Sequence, residues 1–385
     1  MNFKESIHNL SILGIGQIIV SILNVVFYFI FAYLLGPEKY GNFAYLISIA
    51  TIVPTFTRFG LSQSIVIFSS KKEHSLEKSV NLLAFISAVI TTAFLIFFDP
   101  FVAMLSFSFS IFMMQIGNYL GQRKYKQVTI SQIGRSIIWI TVAILLYYVM
   151  DLNGVLIGMI IGNLIFSINY LKTINFEKWN FSNLKNQSNT IVNSFGVDIS
   201  QIAPNYIDKL VIAPFFGFQT TGIFHFAIQA LIAIESFPII LHKFLLAEQF
   251  KENISKRFAL LSSLFASIVI LAGVYLSPYI IGNLFPEYIE SIIAVQIIVF
   301  SIIPLLIISI LNAKLQVLES KLVGLGVIVR IGTNLTLIPI LGGLMGITGL
   351  VLSNLISIIL LSIYLIIIYF KIKKSGNLSN IQLKE

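Results

Sequence analysis

The residues best suited to chemistry lie on one apolar stretch, residues 191–216, that carries many polar and charged side chains. At 100° per residue, five of them project from the same face of a helix: Asp198, Gln201, Asn205, Asp208 and Lys209. A helix facing lipid cannot carry such a stripe, because each charge at the bilayer centre costs roughly 2.5–3.5 kcal/mol on insertion scales. The stripe therefore faces other helices or a water-filled cavity, where it could bind a polar solute or a cation.

Further candidates lie on other apolar stretches: Gln17 and Asn24 in 10–35, Arg58 in 41–68, Arg135 in 130–150 and Arg330 in 322–341. The planar guanidinium of Arg58 suits phosphate oxygens, which it can bind through two parallel hydrogen bonds. Structural roles remain open as well. Asp198 could pair with Lys209, Asp208 could pair with Arg58, and Arg135 and Arg330 are close enough to a loop to reach the membrane surface.

The composition decides what surrounds these residues. Of the 385 residues, 57% are hydrophobic and only 11% are charged, whereas a soluble domain uses about 25% charged residues to cover its surface. The surroundings must be lipid, which excludes a secreted enzyme, a soluble nucleotide-binding domain and a DNA-binding module. Apolar runs long enough to cross the roughly 30 Å hydrocarbon core predict twelve helical spans: 10–35, 41–68, 80–98, 100–120, 130–150, 153–172, 191–216, 221–247, 258–276, 291–312, 322–341 and 346–370.

We expect no metal and no cofactor. The chain has no Cys, which removes thiolate zinc sites and iron–sulfur clusters, and its four His are scattered without an HExxH pair. The GxxxxGK[ST] motif of ATP-hydrolysing proteins does not occur either.

The positions of Lys and Arg predict the orientation. Lys39 is the one basic residue in the loops on one side, whereas 20 of the 25 Lys and Arg lie in the loops and tails of the other side. The positive-inside rule places that second side, with both termini, in the cytoplasm. The net charge of +9 is thereby explained without nucleic acid, and membrane lipids are the expected surroundings and partners.

The chain also carries signs of an internal repeat. An offset of 181 residues aligns three residues after the first span with three after the seventh: Gly36 with Gly217, Gly41 with Gly222 and Phe43 with Phe224. We therefore expect an all-α integral membrane protein with two parallel six-helix lobes around a central cavity, residues 1–172 and 191–385. A cytoplasmic linker, 173–190, joins the lobes, and a short basic cytoplasmic tail ends the second.

Motifs in a fixed order along the chain carry a family resemblance: 14–17 (GIGQ), 34–41 (LLGPEKYG), 58–65 (RFGLSQSI), 208–210 (DKL) and 284–288 (LFPEY). They resemble the polysaccharide transporter (Wzx-type flippase) family of bacterial O-antigen and capsule pathways. That family belongs to an exporter superfamily that also holds multidrug antiporters and lipid II flippases. Arg58 stands where the family commonly has an acidic residue, so a role inherited at this position does not follow.

The resemblance implies a transporter, not an enzyme, in the bacterial cytoplasmic (inner) membrane. It would move undecaprenyl-pyrophosphate-linked oligosaccharide, an O-antigen or capsule repeat unit, to the periplasmic leaflet by alternating access, together with other polysaccharide assembly proteins. A cation-coupled multidrug antiporter of the same fold is the first alternative, although spans one to six contain no internal Asp or Glu. A polysaccharide polymerase or ligase is the second, although the chain lacks a large periplasmic loop.

The loop charges predict the side of each reporter fusion. Fusions after Lys71 and after Arg123 should report cytoplasm, and a fusion at Pro37 should report periplasm, because the positive-inside rule applies to short loops such as these. A cytoplasmic signal at Pro37 would contradict the topology and the parallel repeat.

Overall fold

The computed structural model describes residues 3–174, 181–247, 252–317 and 322–374. Within these ranges every regular element is a helix. Lipid offers no hydrogen bonds to the backbone, so an apolar chain in a membrane satisfies its N–H and C=O groups within each helix. The expectation of an all-α membrane protein is confirmed.

The described residues form thirteen α-helices and two short 3₁₀ turns, with short connections between them. The helices are α1 (Phe3–Arg58), α2 (Leu61–Ser70), α3 (His74–Leu95), α4 (Pro100–Gly121), α5 (Tyr125–Ile165), α6 (Ile168–Leu171), α7 (Phe181–Asn186), α8 (Ser188–Ala247), α9 (Glu252–Leu284), α10 (Ser291–Ile298), α11 (Ile302–Val317), α12 (Leu322–Met345) and α13 (Ile347–Lys374). The 3₁₀ turns are Pro286–Tyr288 and Val299–Ser301.

Nine helical stretches in this part of the chain are long and apolar enough to cross a membrane. Three of them are far longer than one crossing needs: the stretch Ile12–Arg58 has 47 residues, about 70 Å at 1.5 Å per residue. Each of the three long helices is broken once by non-helical backbone, α1 at Gly36, α5 at Asp151 and α8 at Gly217. The three breaks fall in turns that the sequence predicted, so each long helix consists of two arms.

The breaks in α1 and α8 have the same backbone conformation. Gly36 has φ 69° and ψ 169°, and Gly217 has φ 81° and ψ 169°. This region of φ/ψ space is essentially restricted to glycine, because a Cβ atom would clash with the neighbouring backbone. Two residues aligned by the predicted offset therefore share a rare conformation, which supports the repeat.

The glycines that follow these breaks approach each other's turn. A Cβ atom on Gly41 would lie 1.8 Å from the carbonyl oxygen of Phe218, and one on Gly222 would lie 1.9 Å from that of Pro37. Phe218 and Pro37 are themselves related by the offset, so the two contacts are equivalent.

The chain divides into two compact units: residues 1–35 with 42–210, and residues 36–41 with 211–385. In the first unit a core joins α2, α3 and α4, with Ile65, Phe68 and Val80 among its fully buried residues. The division falls within α8, so the first arm of α8 packs with the first unit. The predicted lobes, 1–172 and 191–385, describe the repeat and stay a prediction.

The second unit is built around aromatic packing near its turns and around two long helices. The rings of Phe226 and Tyr288 stack with centroids 4.5 Å apart, and Tyr40 is completely buried beside Tyr288. The helices α12 and α13 approach so closely that a Cβ atom on Gly349 would lie 1.9 Å from the carbonyl oxygen of Leu341. The turn that joins the arms of α1 is thus part of this unit.

The backbone at Gly217 generates a stability prediction. Replacing Gly217 by Ala should destabilise the protein by about 1–3 kcal/mol, because the new side chain meets open space but is forced into a conformation that only glycine adopts freely. The measurement is the thermal unfolding midpoint of purified protein. Gly332→Ala is the matched control, since Gly332 lies in the helix α12 with ordinary backbone and open space around it. Equal midpoints for the two variants would refute the strain at Gly217.

Candidate functional site

Arg58 is a fully buried cation at the point where α1 ends. Its exposed fraction is 0%, and none of its three guanidinium nitrogens has a hydrogen-bond partner among the described residues. Buried polar groups in proteins are nearly always hydrogen-bonded, so three unpartnered donors on one side chain need an explanation. A guanidinium held in this way can donate hydrogen bonds to a planar or tetrahedral oxyanion.

A break in the backbone holds Arg58 in place. The sequence predicted a span over 41–68, and the structure divides it: α1 stops at Arg58, and Phe59 (φ 46°) and Gly60 (φ 79°) separate it from α2. A Cβ atom on Gly60 would lie 2.3 Å from the backbone nitrogen of Phe195 in α8. The ring of Phe59 stacks on that of Phe195, with centroids 4.3 Å apart. The tight approach of α8 fixes the break, which hydropathy does not reveal.

Asp198 of α8 lies against the same break. It is 2% exposed, and the Ser62 hydroxyl donates a hydrogen bond of 2.5 Å to its carboxylate. The Gln63 side chain hydrogen-bonds to this carboxylate as well, and Arg58 interacts with it electrostatically. The structure thus brings two predicted site residues, Arg58 and Asp198, to one place. The alternative in which Asp198 pairs with Lys209 does not occur.

Tyr170 of α6 completes the surroundings of Arg58. Its hydroxyl donates a 2.6 Å hydrogen bond to the carbonyl oxygen of Asn81 in α3. Tyr170 also interacts electrostatically with Arg58.

Asp208 and Lys209 form their own buried ion pair. The Lys209 Nζ atom lies 2.9 Å from the Asp208 carboxylate, with both side chains 1% exposed, and it also donates a hydrogen bond to the carbonyl oxygen of Asn205. The alternative in which Asp208 pairs with Arg58 does not occur either, and the second carboxylate oxygen of Asp208, Oδ2, has no hydrogen-bond partner among the described residues. The pair binds the Lys209 ammonium to a carboxylate on its own helix, and a substrate-binding role for the two residues stays a prediction.

Arg135 of α5 lies in a second polar region of the first unit. Its guanidinium carbon is 4.4 Å from the ring centroids of both Phe112 and Trp139, and the side chain is 9% exposed. Its guanidinium is therefore packed among aromatic rings of the first unit. Nearby, the Ser136 hydroxyl donates a 3.2 Å hydrogen bond to the amide oxygen of Asn24, so α1 and α5 are joined by polar groups at this level.

The remaining predicted site residues are not part of the surroundings described for Arg58 or for Arg135. Gln17 is half-buried on α1 and Gln201 is exposed on α8. Arg330 belongs to the second unit, where it interacts electrostatically with Glu235. The described residues contain no group of three His, Asp or Glu that could hold a metal ion.

Sequence reasoning missed several residues of the site. Ser62 and Gln63 stood in the family motif but were not taken as site residues, and Tyr170 gave no polar signal within its apolar span. The Phe-Gly pair at 59–60 was the one available hint, because glycine after an aromatic residue can mark a break that exposes the polar groups on both sides.

The fold defines the class of protein. It is similar to that of the lipid II flippase MurJ in its inward closed conformation, with a TM-score of 0.70, 14% identity and coverage of 94% of this chain and 87% of that one. It is also similar to a mutant of the Vibrio cholerae MATE transporter VcmN, with a TM-score of 0.63, 16% identity and coverage of 96% and 98%. A third similar structure is an outward-facing multidrug resistance MATE family transporter of the MOP superfamily. Its TM-score is 0.62 at 14% identity, with coverage of 98% of this chain and 97% of that one. The chain thus has the fold of these multi-pass membrane transporters.

The family follows from the sequence match. Residues 6–243 match the family described as polysaccharide biosynthesis protein, and the chain belongs to this family. The resemblance seen in the motifs is confirmed. No curated protein matches the chain significantly.

The Asp208–Lys209 pair yields a test of its structural role. Asp208→Asn should lower the stability by about 3–5 kcal/mol, because it removes the carboxylate charge that lies 2.9 Å from the buried Lys209 ammonium. The double variant Asp208→Asn with Lys209→Met should recover most of that loss, as seen in the thermal unfolding midpoints of purified proteins. Glu77→Gln, which breaks the pair with the exposed His74, is the control and should change stability by roughly 0–1 kcal/mol. A double variant no more stable than Asp208→Asn would contradict the pairing.

Proposed function

We propose that the protein is a flippase that moves undecaprenyl-pyrophosphate-linked oligosaccharide from the cytoplasmic to the periplasmic leaflet of the bacterial inner membrane. The family and the lipid II flippase fold support transport of a lipid-linked precursor. The pyrophosphate binds at Arg58, the sugars occupy polar positions on the inward faces of the helices, and the polyprenyl chain stays in the surrounding lipid.

The observation that carries this proposal is the unsatisfied guanidinium of Arg58. Burying a cation costs free energy because the charge loses its hydration, and only attraction to a partner can offset this cost. Asp198 supplies opposite charge, but its carboxylate receives hydrogen bonds from Ser62 and Gln63, and the guanidinium donors have no acceptor among the described residues. Pyrophosphate oxygens fit these donors, since an Arg fork binds phosphate through two parallel hydrogen bonds.

The architecture supports alternating access. The arms of the three long helices, together with the other spanning stretches, fit the twelve spans predicted from hydropathy, and the reciprocal contacts of Gly41 and Gly222 fit two parallel six-helix lobes. Parallel repeats related by an axis along the membrane normal are a known plan of transporters that expose a central site to each side in turn. With both termini in the cytoplasm, the loop charges agree with this plan.

Export of polysaccharide tests the role of Arg58. Arg58→Ala should reduce export by at least about tenfold in a flippase-null strain. Arg58→Lys should also export poorly, because Lys keeps the charge but loses the two-pronged hydrogen bonding. The measurement is the amount of surface polysaccharide at equal protein level in the membrane. Lys126→Ala removes an exposed positive charge and should export normally. Full export by Arg58→Ala would refute the assignment.

A cation-coupled drug antiporter is the second candidate, and one observation favours it. The sequence argued against it because the first six spans contain no internal carboxylate, but the first arm of α8 packs with the first unit and brings the buried Asp198 into it. An antiporter predicts that expression of the protein raises resistance to cationic dyes in a pump-deficient strain, and that Asp198→Asn removes this resistance. Unchanged resistance with restored polysaccharide export would exclude this candidate.

A further inference from the structure

The buried charges of the first unit do not balance. Among its described residues, the buried cations are Arg58, Arg135 and Lys209, and the buried carboxylates are Asp198 and Asp208. Asp208 pairs with Lys209, and Asp198 interacts with Arg58. Arg135 is the cation left over, since no carboxylate of the described residues lies within ion-pair distance of it or interacts with it electrostatically.

Arg135 is held rigidly in spite of this imbalance. Its guanidinium is packed against the rings of Phe112 and Trp139 at 4.4 Å from each, and the Trp139 ring is itself fixed by a 3.0 Å hydrogen bond from Nε1 to the carbonyl oxygen of Met159. Ring faces attract a cation but accept no N–H hydrogen bond of full strength. The Arg135 Nε atom is buried and has no hydrogen-bond partner within the described part of the chain. The guanidinium of Arg135 is therefore held in one orientation, but its hydrogen-bonding capacity is not fully used.

Two phenols lie beside Arg135. Tyr28 of α1 and Tyr206 of α8 hydrogen-bond to each other, and both interact electrostatically with Arg135. Both are half-buried, as is Asn24 one turn before Tyr28 on the same face of α1. Phenol and amide groups both donate and accept hydrogen bonds, as do the hydroxyls of a sugar. A cation, two phenols and an amide thus meet where α1, α5 and α8 come together.

We propose that Arg135, Tyr28 and Tyr206 bind an acidic sugar of the transported oligosaccharide, with the carboxylate of a hexuronic acid on Arg135 and ring hydroxyls on the two phenols. This inference rests on the proposed function, because it takes the ligand to be the sugar part of the same substrate. The carboxylate supplies the missing negative charge, and its two oxygens match the guanidinium fork.

The position along α8 separates this site from the one for pyrophosphate. Asp198, beside Arg58, and Tyr206, beside Arg135, are eight residues apart on one helix arm, about 12 Å at 1.5 Å per residue. The two phosphates of a pyrophosphate share one oxygen, so they cannot occupy both places. An acidic sugar further along the oligosaccharide can reach the second place while the pyrophosphate is on Arg58.

Trp139 provides a direct readout of binding. The chain has two tryptophans, Trp139 and Trp179, so Trp179→Phe leaves the ring packed on Arg135 as the one indole. Purified full-length protein with this change, in detergent, is titrated with D-glucuronate, D-glucose and inorganic pyrophosphate. We expect a saturable change of fluorescence with glucuronate, and a response to glucose at least about tenfold weaker.

Variants assign the response to a residue. Arg135→Gln should abolish the preference for glucuronate over glucose. Arg135→Lys keeps the charge, tests whether the effect is one of folding, and should weaken glucuronate binding by about tenfold through loss of the fork. Lys126→Gln, which removes an exposed positive charge, should leave the glucuronate response unchanged.

The outcomes separate this inference from the proposed function. Equal responses to glucose and glucuronate, or a glucuronate response that survives in Arg135→Gln, would overturn the acidic-sugar site. A response at Arg135 to pyrophosphate but not to glucuronate would overturn it in favour of a phosphate site. If glucuronate binds through Arg135 while Arg58→Ala exports normally, the sugar site stands and the assignment of pyrophosphate to Arg58 fails.

Discussion

The cost of burying charge in an apolar protein is the constraint on which this structure depends. A charged side chain in the middle of a membrane is costly in any orientation, so it must find a partner or serve a ligand. In the first unit the described charges solve this problem in three ways. Lys209 has a carboxylate beside it, Arg58 has a carboxylate that is bound elsewhere, and Arg135 has aromatic rings in place of a carboxylate. Lys209 is thus paired, whereas Arg58 and Arg135 keep hydrogen-bond donors that a ligand could use. The proposed function rests on these two residues.

The helix breaks determine which polar groups lie close together. Continuous helices satisfy the backbone but present side chains on smooth faces, whereas a break leaves polar groups of two helices close together. The break at Phe59–Gly60 brings Arg58 and Ser62 to the same carboxylate of α8. The breaks at Gly36 and Gly217 do something different, because they turn the chain between two arms and let Gly41 and Gly222 approach each other's turn. Glycine at these points is required by backbone conformation and by space.

The sequence predicted the lipid environment, the helical class, the family and the turns at 36, 151 and 217, because these depend on composition, hydropathy and local conformation. It also selected Arg58, Asp198, Arg135 and Lys209 as candidate site residues, and the structure buries all four. It could not predict their partners, since a helical wheel gives the face of a side chain but not the helix that meets it. Asp198 and Asp208 are ten residues apart on one helix, yet one meets Ser62 of α2 and the other meets its neighbour Lys209. The packing of the first arm of α8 with the first unit is likewise a tertiary fact.

The central claim is that this chain transfers a pyrophosphate-linked oligosaccharide across a bilayer. The most direct measurement uses purified protein in sealed vesicles with a fluorescent undecaprenyl-pyrophosphate-linked oligosaccharide in the inner leaflet, and follows how fast the label becomes accessible to a quencher added outside. The account predicts that vesicles with the protein expose the label much faster than protein-free vesicles, and that an unlabelled substrate competes while a lipid without pyrophosphate does not. Equal rates with and without the protein would contradict the account.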